Sequence, residues 1–413
     1  MNYTSRQLLD DFDIYNKIIP SIDKTITTYG KSKLRELFNI LYYGKNPLVR
    51  RNKLLTTILH NPFYTKRIIN TLIKIKKLEN NITWLYSNHP EYDDLYLNNN
   101  SMNIQELLSC HNILKSYMIP LMIIIYIIIF IILNYNNGFD ILNYIKNIYE
   151  GYKSYIQNIL ESVSGGSNNN MISVFVNILV KMYIFYKLYV LYNMYQMSVK
   201  HRRKCKELKN NVAKIRKIID CAKYIYKNDV FLLQEKAMIW PTIKELDNIF
   251  ASNKINNIGH SLILVKNKHK YEAKINAVLG YIGLIDSFIS IASLITENNY
   301  ILPTYDFNDN NGPYIKIIDD SSEILLKNPT TNITMSTSMM KNIILAVLLC
   351  QTIGVSYYDI KFTPFTYLFS KWNFDGKDVY DILKKIPKNQ YFCAILNKEY
   401  GDIKLDNGLI KSI

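Results

Sequence analysis

The sequence is poor in cysteine, glycine and proline, and it has no complete metal-binding, redox or catalytic motif. Its five cysteines contain no CxxC pair, and its six histidines form neither an HExxH motif nor a Cys/His zinc spacing. We therefore expect no disulfide framework, no metal site and no catalytic residues, and a reducing compartment fits best. The first residues lack an apolar core, so we also expect no secretory signal peptide.

Basic residues are in clear excess over acidic ones. The chain of 413 residues has 50 Lys and Arg against 34 Asp and Glu, a net charge of +16. Such an excess favours contact with nucleic acid or with an anionic membrane surface. The chain is also rich in Ile, Asn, Lys and Tyr, a composition typical of AT-rich genomes, and that bias explains part of the excess.

Helical spacing of apolar residues dominates residues 1–115. The first run contains Leu34, Leu37, Phe38 and Leu41, and the second contains Leu54, Leu55, Ile58 and Leu59. A third predicted helix runs from Tyr64 to about Leu85. These runs predict a bundle of amphipathic helices in the N-terminal part of the chain.

The stretch 117–133 has no charged side chain. As a helix it would be about 26 Å long, close to the thickness of the bilayer hydrocarbon. A buried core helix would normally show a polar face, and a buried strand would be shorter. The stretch therefore predicts a transmembrane helix.

A second span is predicted at 171–197, although it contains Lys181 and Lys187. A loop, 134–170, separates the two spans. The basic residues that follow are Lys200, Arg202, Arg203, Lys204 and Lys206. By the positive-inside rule they place both long soluble parts in the cytoplasm and the loop across the membrane. The alternative is an amphipathic hairpin that lies in the interface without crossing.

Helical patterns resume from 199 to about 299, with an interruption expected at Trp240-Pro241. The last part changes character. Short strands such as Tyr314–Ile318 alternate with turns, and a strong helix is predicted from about Ser338 to Ile353. This mixture is typical of an α/β unit.

Three segments together resemble the MutS family of DNA mismatch repair proteins. The first has Ile22-Asp23-Lys24-Thr25, Thr27-Thr28-Tyr29-Gly30, Leu34 and Leu37, followed by Leu48, Arg51, Leu54, Leu59 and Asn61-Pro62. The second has Tyr281 to Asp286, Ile291, Glu297 to Tyr300 and Pro303. The third has Gln351 to Val355 and Thr363-Pro364-Phe365. Their order is similar to the core and lever domain and the start of the ATPase domain of that family.

The resemblance is closest to membrane-associated MutS-like proteins, in which an apolar insert replaces the DNA clamp at the tip of the lever. It implies a mainly α fold: a long-helix MutS-type core and lever domain interrupted by a transmembrane hairpin, then a small degenerate α/β domain derived from a P-loop NTPase. The expected segments are 1–115 and 199–300 for the two halves of the lever, 116–198 for the hairpin and 301–413 for the truncated ATPase-like domain. A mismatch-reading domain before the lever is not expected.

The family's phosphate loop, GxxxxGK[ST], aligns with 330–338. Thr330 and Met335 stand in place of the glycines and Ser336 in place of the lysine, while Asn332, Thr337 and Ser338 match. Bulky side chains and the lost positive charge predict that ATP–Mg, the family's cofactor, is not bound. The strand near Phe392 faintly resembles the one that carries the Mg²⁺-binding acid, with Asn397 at that position. An ordinary buried strand is the alternative.

We therefore expect a membrane-anchored MutS-like pseudo-ATPase with a binding or scaffolding role. Its expected partners are membrane lipid and a second subunit, in a homodimer or in a heterodimer with a MutS-like paralogue. The alternative is a DNA-binding protein of mismatch repair or recombination, acting with an active full-length paralogue. An unusual active ATPase is the least favoured reading of the sequence.

Overall fold

The structure is a computed structural model, and the parts of the chain that it describes are mainly helical. They are residues 2–3, 6–87, 109–122, 146–147, 150–151, 153–158, 169–251, 254, 257–307, 312–319, 322–327, 337–370, 385–387, 390–396 and 408–412. The chain divides into two compact units. One comprises 1–83, 215–249 and 269–413, and the other comprises 84–214 and 250–268.

The helices follow one another along most of the chain. They are α1 (Arg6–Asp11), a π-helical turn (Ile14–Ile18), α2 (Ile19–Ile22), α3 (Thr28–Phe38), α4 (Lys45–His60), α5 (Pro62–Lys76), α6 (Glu79–Tyr86), α7 (Asn169–Asn228), α8 (Leu233–Ile249), α9 (Ile258–Lys266), α10 (His269–Glu297) and α11 (Thr337–Thr352). Residues 109–122 and 153–158 are also helical. α7 alone has 60 residues, which makes it about 90 Å long.

The strands are short and belong to three sheets. They are β1 (Asn2–Tyr3), β2 (Ile40–Leu41), β3 (Thr304–Tyr305), β4 (Tyr314–Asp319), β5 (Ser322–Lys327), β6 (Asp359–Phe362), β7 (Tyr367–Ser370), β8 (Phe392–Leu396) and β9 (Gly408–Ser412). β1 and β2 form an antiparallel pair, β3-β6-β4-β5 a mixed sheet, and β7-β8-β9 a parallel sheet. In the mixed sheet buried residues such as Ile317 and Ile360 alternate with more exposed ones, so one face packs on the core.

Several sequence predictions of elements are confirmed. α3 and α4 follow the predicted apolar runs and bury Leu34, Leu37, Leu55 and Ile58. The predicted strand at Tyr314 is β4, and the predicted helix at Ser338 is α11. The fold class is confirmed in outline only: the protein is mainly helical and has a small mixed sheet.

Four predictions of detail were wrong. Leu41 was predicted to be helical, but α3 ends at Phe38 and Leu41 lies in the strand β2. The single helix predicted from Tyr64 is two, α5 and α6. Glu79 begins the second helix, where a carboxylate is favourable, and its side chain accepts a hydrogen bond of 2.7 Å from the Thr28 amide.

The other two concern Pro241 and the predicted loop. α8 continues through Pro241, where stacking of Trp240 on Tyr226 and burial of Ile243 offset the lost backbone hydrogen bond. The helices break instead at 229–232, after α7, and again between α8 and α9 and between α9 and α10. Residues 153–158, inside the predicted loop, are helical.

Helix α10 is long and apolar enough to cross a membrane. It is the one helix with this property among those searched within the described part of the chain, with a mean hydropathy of 1.9 in its most apolar window. However, 78% of that window is buried inside the protein. This burial is the pattern of a core helix rather than of a helix surrounded by lipid.

The start of α3 is joined to α10 by the buried carboxylate of Asp286. This carboxylate accepts hydrogen bonds from the amides of Ile26 at 3.1 Å and Thr27 at 2.7 Å, and from the Thr27 hydroxyl at 2.6 Å. The Thr27 hydroxyl in turn accepts from the Gly30 amide and so caps α3. A Cβ at position 30 would overlap the carboxylate of Asp286, so glycine permits this close approach.

A second junction joins α4 to the end of α11 through Arg51. Its buried guanidinium donates to the carbonyl oxygens of Gln351, at 3.2 Å, and of Thr352, and it stacks on the ring of Tyr42. The C-terminus of α11 carries the negative end of the helix dipole, so a cation at this place is stabilised by it. Gly354, which follows, has a φ of 84° and passes close to the Arg51 side chain. Both junctions use residues that the sequence analysis had singled out as motifs.

Asp247 on α8 holds the end of α7 by two ion pairs, with Arg216 at 2.6 Å and Lys223 at 2.8 Å. Burial raises the pKa of Asp247, but the hydrogen bonds from Lys223 and Arg216 lower it more, so that it lies below 3.8. A depressed folded-state pKa stabilises the fold above the unfolded-state pKa, and this contribution is lost as the pH falls through the folded-state pKa.

We expect Asp247→Asn to reduce the free energy of unfolding by about 1 kcal/mol at pH 7. The gap in Tm between wild type and variant should persist at pH 5 and shrink below about pH 3.8, measured by thermal melts of the full chain. Asp220→Asn is the control, because Asp220 is half exposed and pairs with the same Arg216. A gap that grows on acidification would contradict this assignment.

Candidate membrane-binding site

The helix of residues 109–122 lies beside α7 within one unit of the chain. The guanidinium of Arg202 is 4.5 Å from the ring centroid of Tyr117. Buried serines lie near this contact on both helices, Ser116 on one and Ser198 on the other. Cation–π contact of this kind stabilises by roughly 0.5–1 kcal/mol at exposed sites. The start of the first predicted span therefore contacts α7 five residues after the end of the second.

Both helices expose large apolar side chains. On residues 109–122 these are Leu114, Tyr117, Met118, Leu121 and Met122, and on α7 they are Met182, Tyr186, Tyr189, Leu191, Tyr192, Met194 and Met197. The exposed fractions reach 72%, at Met197. Soluble monomers rarely expose so much apolar surface, and tyrosines are enriched where proteins cross the membrane–water interface.

The basic residues predicted as a membrane flank all lie on α7, directly after this apolar surface. Lys200, Arg203 and Lys206 are exposed and fall within about 120° of the helix circumference. Arg202 and Lys204 are partly buried. The predicted flank is thus one charged stretch of a continuous helix, and within it Arg202 makes the cation–π contact with Tyr117.

A groove of about 450 Å³ opens beside the same contact. One wall is formed by Asn112 and Lys115 of the first helix. The other is formed by α7 residues Met194, Met197, Ser198, Lys200 and His201. Sequence reasoning missed this groove, although Lys115 was visible as the one lysine between 87 and 116.

The predicted spans are only partly described. Residues 117–122 of the first are helical, and 123–133 lie outside the described residues. The second, 171–197, is helical throughout, as part of α7.

The remnant of the phosphate loop is largely outside the described residues as well. Thr330, Asn332, Met335 and Ser336 fall there, as does Asn397. Thr337 and Ser338 begin α11. The preceding strand, β5, lies at the edge of its sheet and pairs antiparallel with β4. Among the described residues no group of His, Cys, Asp and Glu could hold a metal ion.

Comparison with known proteins gives no assignment: no protein-family model and no curated protein matches this chain.

Proposed function

We propose that this protein is anchored in a membrane by a helical hairpin, with spans at 117–133 and 171–197, and acts by binding or scaffolding without hydrolysing nucleotide. One observation carries the proposal: two adjoining helices expose apolar and aromatic side chains directly beside a basic stretch. Burying apolar area contributes about 25 cal/mol per Å², and each basic residue near an anionic surface about 1 kcal/mol.

The orientation follows from the basic stretch. With Lys200, Arg203 and Lys206 on the cytoplasmic side, both long soluble parts are cytoplasmic and the loop 134–170 lies on the opposite side of the membrane. Lys181 and Lys187 lie in the second span at an expense of roughly 2.5–3.5 kcal/mol each if they reach the bilayer centre. Lysines nearer the surface can extend their ammonium groups to the headgroups, which lowers this penalty.

The MutS-like resemblance supports the remaining part of the proposal. Its residues form the Asp286 and Arg51 junctions, which tie distant parts of one unit together. If the chain is MutS-like, the degenerate segment 330–338 makes it a pseudo-ATPase. Its partner is then a second copy of the chain or a MutS-like paralogue.

The full-length tagged protein is expected to stay in the membrane pellet after an alkaline carbonate wash. Ile127→Asp with Ile128→Asp should release it, because each charge in a span opposes insertion by about 2.5–3.5 kcal/mol. The control is Leu233→Asp with Met238→Asp, which charges two exposed apolar positions of α8 and should leave the protein in the pellet. Release of the wild type would overturn the anchor.

The pseudo-ATPase assignment has its own test. A rise in Tm on adding ATP and Mg²⁺ to the purified protein would overturn it.

Binding of duplex DNA is the second candidate, favoured by the exposed cations of α7. Phosphate contacts would make such binding fall steeply with salt. The engagement of Arg202 with Tyr117, beside apolar surface, favours the membrane instead. Salt-dependent duplex binding that is lost on neutralising Arg202, Arg203 and Lys204 would reverse this preference.

A further inference from the structure

The groove between residues 109–122 and α7 has an amphiphilic lining. Lys115 and Lys200 supply ammonium groups, and Asn112 and Ser198 supply neutral hydrogen-bond donors. Met194 and Met197 supply the apolar part. Among the described residues that line the groove, none is acidic. The lining therefore suits a ligand with an anionic group joined to an apolar one.

The charges in the groove point to an anion. Within the described residues neither Lys115 nor Lys200 forms an ion pair with a carboxylate. Lys115 is also half-buried, so its ammonium is partly removed from water. A partly desolvated cation is stabilised by an anion that accepts its hydrogen bonds.

The position of the groove along α7 indicates which anion. It lies between the exposed tyrosines at 186–192 and the basic residues from Arg202 onward. In a helix that leaves the bilayer near residue 197, this level is that of the lipid headgroups. Methionine side chains are adaptable and suit the irregular surface of a glycerol backbone and upper acyl chain.

We propose that this groove binds the phosphate of an anionic phospholipid headgroup, held by Lys115 and Lys200, with Met194 and Met197 against the lipid's glycerol and acyl carbons. The proposal rests on the membrane anchor proposed above, because only an anchored protein holds the groove at headgroup level. It goes beyond general attraction to a charged surface, since it assigns one lipid molecule to a defined pair of lysines.

The test measures binding of phosphatidylserine and phosphatidylcholine to the full chain, purified in neutral detergent, by native mass spectrometry. We expect the wild type to retain phosphatidylserine in preference to phosphatidylcholine. Lys115→Gln with Lys200→Gln should weaken phosphatidylserine binding about 30-fold, since each lysine contributes about 1 kcal/mol, or slightly more than fivefold.

The control is Lys209→Gln with Lys214→Gln, which removes the same charge from the same unit. These lysines lie about 14 and 21 Å beyond Lys200 along α7, further than the Debye length of about 8 Å. The control should change binding less than threefold. Equal effects of the two double variants, or no preference for phosphatidylserine in the wild type, would overturn the assignment.

Two further readouts separate the sources of failure. Inorganic phosphate at millimolar concentration should not displace the lipid, and displacement would show a site for free phosphate instead. Both double variants should keep the wild-type Tm, so that a loss of lipid binding does not reflect a loss of the fold. Retention of the wild type in the pellet without headgroup preference overturns only the groove assignment, whereas release of the wild type overturns the anchor as well.

Discussion

Asp286→Ala is expected to lower the Tm of the full chain by roughly 5–10 °C. The substitution removes one carboxylate but leaves three donors, the part-buried amide of Ile26 and the buried amide and hydroxyl of Thr27, without their acceptor. Donors left unsatisfied on burial destabilise by about 1–3 kcal/mol each. For a unit of this size, each kcal/mol changes the Tm by about 2–4 °C.

An opposing effect limits the loss. Burial raises the pKa of Asp286, although hydrogen bonds from Thr27 and Ile26 lower it in part. Alanine relieves the desolvation of the charge, so the net loss should be about 2–4 kcal/mol rather than the sum of three donors.

Asp220→Ala is the control for this variant, because Asp220 is half exposed and contributes one ion pair on a helix surface. Its Tm should lie within about 2 °C of the wild type. An Asp286→Ala protein with an unchanged Tm would show that the junction of α3 with α10 does not depend on this carboxylate.

Arg51→Met is expected to destabilise the protein by about 2–4 kcal/mol, while Arg50→Met should destabilise it by less than 1 kcal/mol. The two arginines are neighbours on α4, but Arg51 is 5% exposed and the Arg50 side chain is 47% exposed. Arg50 pairs with Glu235 at 2.8 Å in solvent, where ion pairs contribute little. Methionine preserves much of the apolar stem at both positions.

The larger loss at position 51 follows from what the guanidinium contacts. In Arg51→Met the carbonyl oxygen of Gln351 would still accept a hydrogen bond from the Tyr42 amide. The carbonyl oxygen of Thr352 would lose the hydrogen bond that Arg51 donates. The contact with the Tyr42 ring would be lost as well. Thermal melts of both variants in one detergent give the comparison, and equal Tm values would contradict a stabilising role for the buried guanidinium.

These two junctions explain why residues far apart in the chain form one core. Asp286 and Thr27 are separated by 259 positions, and Arg51 and Thr352 by 301. The sequence analysis identified these residues as parts of motifs, but it did not predict which residues they contact. Their pairing is a property of the packed unit, since each side chain needs an acceptor or donor that another element brings.

The candidate site was predicted in part. The apolar stretch near residue 120 and the basic residues after 199 were both evident, because charge and hydropathy can be read position by position. The groove was not, since Lys115 and Lys200 are 85 positions apart in the sequence. Their joint presence in its lining depends on how the helix of 109–122 packs beside α7.

The sequence by itself determined the mainly helical character, the core faces of α3 and α4, and the strand and helix near Tyr314 and Ser338. Each of these follows from a periodicity set by near neighbours. Only the tertiary structure decided that the chain breaks after Lys76 and passes unbroken through Pro241, because a hydrogen bond to Glu79 and stacking of Trp240 outweigh local preference. It also decided that the apolar helix α10 is buried in the core while the apolar faces of 109–122 and α7 stay exposed. The difference lies in the neighbouring elements, which cover α10 and leave the other two faces exposed.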